Sequence, residues 1–201
     1  DAETGITIMQ MDKGLDTGHL LHRVSAPIEA NHPAMSLHDK MAELGAAAIN
    51  TVLKDLAHYQ AQAVAQDDSQ ANYAEKLIKT EGEIDWTQSA TEIERQIRGL
   101  TPWPGAYTFL AGQRVKILAS LPVNPSQQTN EPAGTVISVG RKAILVACGK
   151  EDETKQKSNE ESATTLAITD LQFAGGKPMT AEQICHGNQL NDGDQFTTDS
   201  K

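Results

Sequence analysis

The order of apolar and polar positions changes period along the chain and divides it. Thr4–Met11 and His19–Ile28 alternate in character and flank the stretch Asp12-Lys13-Gly14-Leu15-Asp16-Thr17-Gly18. Alternation around a Gly/Asp-rich stretch predicts two antiparallel strands and a turn. Gly14 and Gly18 are expected to supply positive φ, with Asp12 and Asp16 bonding their own backbone. Leu37, Met41, Leu44, Ala48, Val52 and Leu56 then recur at helical spacing. This predicts a helix from Ser36, the N-cap, with Asp39 in its first turn, to about His58. A hairpin and one helix cannot bury both their faces, so the block is expected to close a larger sheet.

Gln60–Asn72 has no sustained period and reads as a linker, followed by a connector, Tyr73–Asp85. Ser89-Ala90-Thr91-Glu92 has capping-box spacing, and Ile93, Ile97 and Leu100 form the stripe of a short helix that Pro102 and Pro104 end. The period then becomes two. Ala106–Ala111 and Arg114–Leu121 flank Gly112, Gly134–Val139 and Lys142–Cys148 flank Gly140-Arg141, and Ala163–Phe173 adds a further strand. A short helix is expected from Thr180. Short strands with helical punctuation suit a small, partly open barrel of the oligonucleotide-binding (OB) kind. Lys150–Ser162 is expected to be a mobile insertion, and the Asn/Asp/Thr-rich tail after Gly187 to fray. The expected domains are 1–59, a linker over 60–82, and 83–201.

Composition narrows the class. With 38% hydrophobic and 4% aromatic residues, the core is expected to be small. No apolar run is long enough to span a membrane and no secretory leader is read, so a cytoplasmic location is expected. Cys148 and Cys185 have neither metal spacing nor a disulfide framework, and Cys148 reads as a buried, inert thiol. The net charge of −10 argues against tight non-specific nucleic-acid binding. Its distribution changes that picture: residues 1–72 carry −6, 73–147 carry +1 and 148–201 carry −5. A local basic face can still hold RNA, because screening limits electrostatic reach to roughly 8 Å at physiological salt.

Three groups of residues carry a resemblance. They are Asp1-Ala2-Glu3-Thr4-Gly5, then Met9-Gln10-Met11-Asp12 with Gly14-Leu15-Asp16-Thr17-Gly18, and finally Ile84-Asp85-Trp86, Arg95-Gln96-Ile97-Arg98 and Pro102-Trp103-Pro104-Gly105-Ala106-Tyr107. From Asp1 to about Pro178 the chain resembles the folate-dependent formyltransferases, most of all those acting on charged initiator tRNA. Lys13 departs from the family's usual apolar or acidic residue, as a turn position tolerates.

The resemblance implies an α/β remnant, a hairpin plus helix closing a Rossmann-like sheet, followed by an OB-like tRNA-binding barrel. It implies 10-formyltetrahydrofolate as formyl donor, initiator methionyl-tRNA as acceptor, no metal and a monomeric full enzyme. Asp1 matches the catalytic aspartate of an Asn–His–Asp set whose Asn and His, like most folate contacts, lie upstream. The missing amino-terminal part of the same enzyme is therefore an expected partner, and residues 1–201 alone are expected to be inactive. The candidate tRNA contacts are Lys76, Lys79, Arg95, Arg98, Arg114, Lys116, Arg141 and Lys142. Lys76 with Lys79, and Arg95 with Arg98, have the spacing of a shared helical face; Arg114 and Lys116 have that of a shared sheet face. Trp103 is expected in the core, with stacking on RNA as the alternative reading, Asp16 as a turn former, and His19, His22, His38 and His58 in surface or capping roles. Two other readings stay open: a related enzyme acting on a sugar nucleotide or a formyl-folate dehydrogenase domain, and a non-catalytic RNA-binding barrel.

Overall fold

Strands β1 (Glu3–Met9) and β2 (Leu20–Pro27) form an antiparallel hairpin, as the alternation predicts. The computed structural model describes residues 2–29, 33–121, 128–150 and 163–198. The positive φ of the turn falls on Asp16, at 56°, and not on either glycine. Gly18 is needed for closeness instead, since a Cβ there would collide with the Gln10 carbonyl. Asp12 Oδ1 accepts from the Gly14 N–H at 2.9 Å and the Thr17 hydroxyl at 2.6 Å.

Helix α1 (Ala34–Lys54) packs on the hairpin and buries Ala48 and Val52 from the expected stripe. It starts earlier than expected: Pro33 is the N-cap, and the Ser36 hydroxyl donates to the Pro33 carbonyl at 2.9 Å. Asp39 therefore sits beyond the first turn, which carries no acid. A break at Asp55 separates α1 from α2 (Leu56–Ala61), leaving Leu56 exposed with Ile49 and Leu53. The segment read as a linker is tied to the hairpin. Leu20 and Val64 exchange backbone hydrogen bonds of 2.8 and 3.0 Å, and Gln66 Nε2 donates to the Asp16 and Gly18 carbonyls at 2.6 and 2.8 Å. Backbone contacts divide the chain into two units, Asp1–Lys76 and Leu77–Lys201.

The second unit is a curled antiparallel sheet with two short helices packed on its core. After the 3₁₀ turn Lys79–Gly82 come α3 (Ala90–Leu100), β3 (Ala106–Leu110), β4 (Gln113–Ser120), β5 (Gln128–Thr129), β6 (Val136–Val139), β7 (Ile144–Lys150), β8 (Ala163–Phe173), β9 (Met179–Thr180), α4 (Ala181–Gly187) and β10 (Phe196–Thr197). The sheet runs β10-β3-β4-β8-β7-β6, with β5 and β9 on β8. Its ends meet: the Phe196 N–H donates to Gly134 and the Val136 N–H to Asp194, at 2.9 and 2.8 Å. The tight β3–β4 turn places Ala111 and Gly112 at φ 48° and 76°.

The capping box is present. Ser89 Oγ accepts from the Glu92 N–H at 3.3 Å, and Glu92 Oε2 accepts from the Ser89 N–H at 3.2 Å. Below it, Thr164 Oγ1 accepts from the Ala90 N–H at 2.8 Å and donates to the Gly149 carbonyl at 2.7 Å. These bonds aim α3 so that Ile93 and Ile97 join Ile117, Ile144 and Leu166 in the core.

Two expectations fail here. Among its described residues, up to Thr198, the tail does not fray: Leu190 and Phe196 are 2% and 1% exposed. Phe196 stacks on Trp86 with ring centroids 5.5 Å apart. The Trp86 indole N–H donates to Thr108 Oγ1 at 2.9 Å, and that hydroxyl donates to the Thr197 carbonyl at 2.9 Å. Trp103, expected in the core, lies in the turn after α3, 53% exposed. The insertion expected at Lys150–Ser162 lies, beyond Lys150, outside the described residues.

Two outcomes follow from this packing. Phe196→Ala should destabilise the second unit by about 3–5 kcal/mol, the usual cost of emptying a buried aromatic site; a denaturant-melt change below about 1 kcal/mol would contradict the tail's structural role. Burial pushes the Cys148 thiol up to about 12, so it stays protonated at pH 8, whereas Cys185 is half-buried. A brief iodoacetamide pulse read by mass spectrometry should label Cys185 first and Cys148 only after unfolding. Equal labelling of the native protein would show that the core opens.

Candidate functional site

Asp1, the implied catalytic aspartate, lies outside the described residues. The hairpin end beside it is ordered by backbone pairing: the Ile28 N–H donates to the Ala2 carbonyl at 2.9 Å, and Glu3 pairs with Pro27. At the opposite end, Asp12 and Asp16 serve the turn. The Thr17 hydroxyl, then the Gly14 N–H, hold the Asp12 carboxyl below its ordinary pKa. Leu15–Thr17, Arg23 and the segment Val64–Ala74 line a cavity of about 750 Å³. Asp67, one of its carboxylates, is occupied by Ser69 and Gln70 of its own turn. His22 and His58 pack edge-on against Tyr59, His38 meets Asp39, and His19 is exposed. Among the described residues, no group of three or more His, Cys, Asp and Glu is placed to hold a metal ion.

The basic candidates fall into distinct places. Lys76 and Lys79 do not share a helix, because the 3₁₀ turn begins only at Lys79; the two lie in different units. Arg95 and Arg98 share α3 but not a role. Arg95 is exposed, whereas Arg98 Nε is 2.8 Å from Glu94 Oε1 in a half-buried i,i+4 ion pair. Arg114 and Lys116 occupy one face of β4, since the alternate residues Val115 and Ile117 point into the core. Arg141 and Lys142 are exposed in the β6–β7 turn, separated from β4 in the sheet order by β7 and β8.

The outer face of β3 and β4 has aromatic content that the basic pattern did not reveal. The Arg114 guanidinium lies over the Tyr107 ring, 3.6 Å from its centroid, a cation–π geometry. Tyr107 donates its hydroxyl to Glu83 Oε2 at 3.3 Å and meets the Phe109 ring edge-on. Arg114 Nε is buried and has no hydrogen-bond partner among the described residues. Lys116 stands beside Tyr107 and Gln172 in the register. Period-two alternation placed Tyr107 and Phe109 on a strand; which face they would take depended on the segment around Glu83, which is distant in sequence. Trp103, expected in the core, is exposed in the turn after α3.

No described helix is long and apolar enough to cross a membrane. Comparison with known proteins adds the following. The family model described as "Formyl transferase" matches residues 1–53, and that of "Formyl transferase, C-terminal domain" matches 76–189. Proteins named methionyl-tRNA formyltransferase from Marinobacter nauticus, Nitrosomonas eutropha and Pseudoalteromonas translucida are 42%, 41% and 40% identical over 94%, 98% and 93% of this chain. The chain spans only 56%, 57% and 54% of their lengths. Among solved structures, HypX from Aquifex aeolicus in complex with tetrahydrofolic acid aligns with TM-score 0.60 at 14% identity, over 92% of this chain and 30% of that one. An N-formyltransferase from Helicobacter canadensis, in complex with folinic acid and dTDP-3-aminofucose, aligns with TM-score 0.53 at 18% identity, over 84% and 56%. At these identities the likeness is one of fold.

Proposed function

The chain belongs to the formyl transferase family, and from that premise we propose that it is the carboxy-terminal part of a cytoplasmic, monomeric enzyme that transfers a formyl group from 10-formyltetrahydrofolate to initiator methionyl-tRNA. The observation that carries this reading is the identity of 40–42%, over nearly the whole chain, to proteins bearing that name. Residues 1–59 are read as the end of a Rossmann-like catalytic domain, 60–82 as a linker, and 83–201 as an OB-like tRNA-binding domain. Folate contacts, and an Asn and a His to complete the catalytic set, are to be sought in the part of the relatives' length that this chain does not span.

Formyl transfer to an amine sets three tasks. The methionyl nitrogen must lose a proton as it bonds the formyl carbon, the tetrahedral oxyanion must be stabilised, and the departing folate nitrogen must gain a proton. Asp1 is assigned the first and last through the histidine, which it orients and whose cationic form it supports, with water relaying the proton. On the RNA side, exposed Lys79, Arg95, Lys116, Arg141 and Lys142 are free to meet phosphates. Arg98 and Arg114 act from fixed positions beside Glu94 and Tyr107. Phosphate contacts of this kind position RNA without reading its sequence.

In the full-length enzyme, Asp1→Asn should lower kcat at least about 10²-fold while leaving tRNA affinity within a few-fold of wild type, because the amide keeps the size and loses the charge. Steady-state formyl transfer together with a tRNA titration checks both halves. Wild-type kcat would end the assignment of Asp1.

A further inference from the structure

We propose that Arg95, Gly99 and Trp103 form a seat for one unpaired nucleotide, with the Trp103 ring stacking on its base and Arg95 meeting its phosphate. The inference rests on the RNA-binding reading above and goes beyond it by naming a base-contacting site.

Three observations carry it. Trp103 is 53% exposed, whereas Trp86 is 3% exposed in the core. An exposed indole offers a flat π surface suited to any base, and the turn that carries it is fixed. The Thr101 N–H donates to Ile97 at 3.1 Å and the Gly105 N–H to Leu100 at 2.9 Å. Such pre-ordering lowers the entropic cost of binding. Second, Gly99 lies in helical backbone, where glycine weakens a helix relative to alanine. Packing does not require it, because a Cβ built there meets nothing within 4 Å. A side-chain-free spot that the fold itself does not need allows another molecule's backbone to approach closely. Third, Arg95 is exposed one turn before Gly99, about 6 Å along the helix axis. The opposite face of α3 is spent on Ile93 and Ile97, and Arg98 on Glu94.

Cation and bare backbone thus share one face of α3, and the aromatic ring follows in the turn that ends the helix. A base paired within a duplex has its faces covered by stacking, so the chemistry selects an unpaired nucleotide. Aromatic stacking tolerates any base, so the seat should favour single-stranded character over sequence.

The test is titration of the full-length enzyme with initiator tRNA at several salt concentrations, with a thermal melt of each variant. Trp103→Leu should weaken binding about tenfold, within the range of stacking losses, without changing the salt slope or the melting temperature. Trp103→Phe should retain most of the affinity. Arg95→Ala should flatten the slope of log K against log salt by about one unit. Gly99→Leu should raise the melting temperature through better helix propensity yet weaken binding, a combination a purely structural glycine would not give. Wild-type affinity for both Trp103→Leu and Gly99→Leu, in an enzyme whose parent binds tRNA with ordinary salt dependence, would overturn this inference alone. Protection of the Trp103 emission from acrylamide in the RNA-free enzyme, taken as the difference from Trp103→Phe, would also overturn it, since the ring would already be covered. A parent enzyme with no salt-dependent tRNA binding would overturn the functional reading and this inference with it.

Discussion

The second unit depends on one buried contact between its beginning and its end. Trp86 enters just before α3, and Phe196 arrives with the last strand; their rings stack face to face. The Thr108 hydroxyl lies beside them, accepting from the indole and donating to the Thr197 carbonyl, so none of the three polar groups is left unsatisfied. Leaving one such buried group without a partner costs about 1–3 kcal/mol. The contact also holds β10 in place, and β10 with the residues before it bonds β3 on one side and the approach to β6 on the other. Without that strand the sheet has two open edges and its core an open side.

This arrangement explains how an acidic chain can present local cationic surfaces. Along β4, alternation sends Val115 and Ile117 inward and leaves Arg114 and Lys116 outside. Along α3, the capping box and Thr164 set the helix so that Ile93 and Ile97 are buried and Arg95 is not. The positions of the cations are thus set by where the apolar side chains go, and the −6 and −5 of the flanking regions do not alter them. Over a screening distance of roughly 8 Å, local arrangement outweighs total charge.

What was legible in the sequence was whatever has a local cause. The five longer strands of the second unit, the β3–β4 turn and the Ser89–Glu92 box arise from neighbouring residues, and they appear where the period and spacing place them. The misreadings involve distant partners. Phe196-Thr197 is too short and its surroundings too polar to signal a strand; pairing with Leu110 and Phe109, supported by the contacts with Trp86 and Thr108, makes it one. Trp103 looks like a core residue by its type, but it stands in the turn that ends α3, while Trp86 and Phe196 stack in the core. Ser36 has the chemistry of a cap, but the helix starts ahead of it. In the hairpin turn, Gly18 answers to the nearby Gln10 backbone and leaves the left-handed conformation to Asp16. Of the candidate site, the proposal of Asp1 rests on its resemblance to a family motif, and the pairing of Arg98 with Glu94 was legible only as an i,i+4 possibility.

The identity of the acceptor is the central claim, and a competition assay tests it most directly. The full-length protein would be given labelled 10-formyltetrahydrofolate with initiator methionyl-tRNA and an amino-sugar nucleotide together. The expected result is label on the methionyl amino group and none on the sugar. Label on the sugar nucleotide, or on neither acceptor, would contradict the reading.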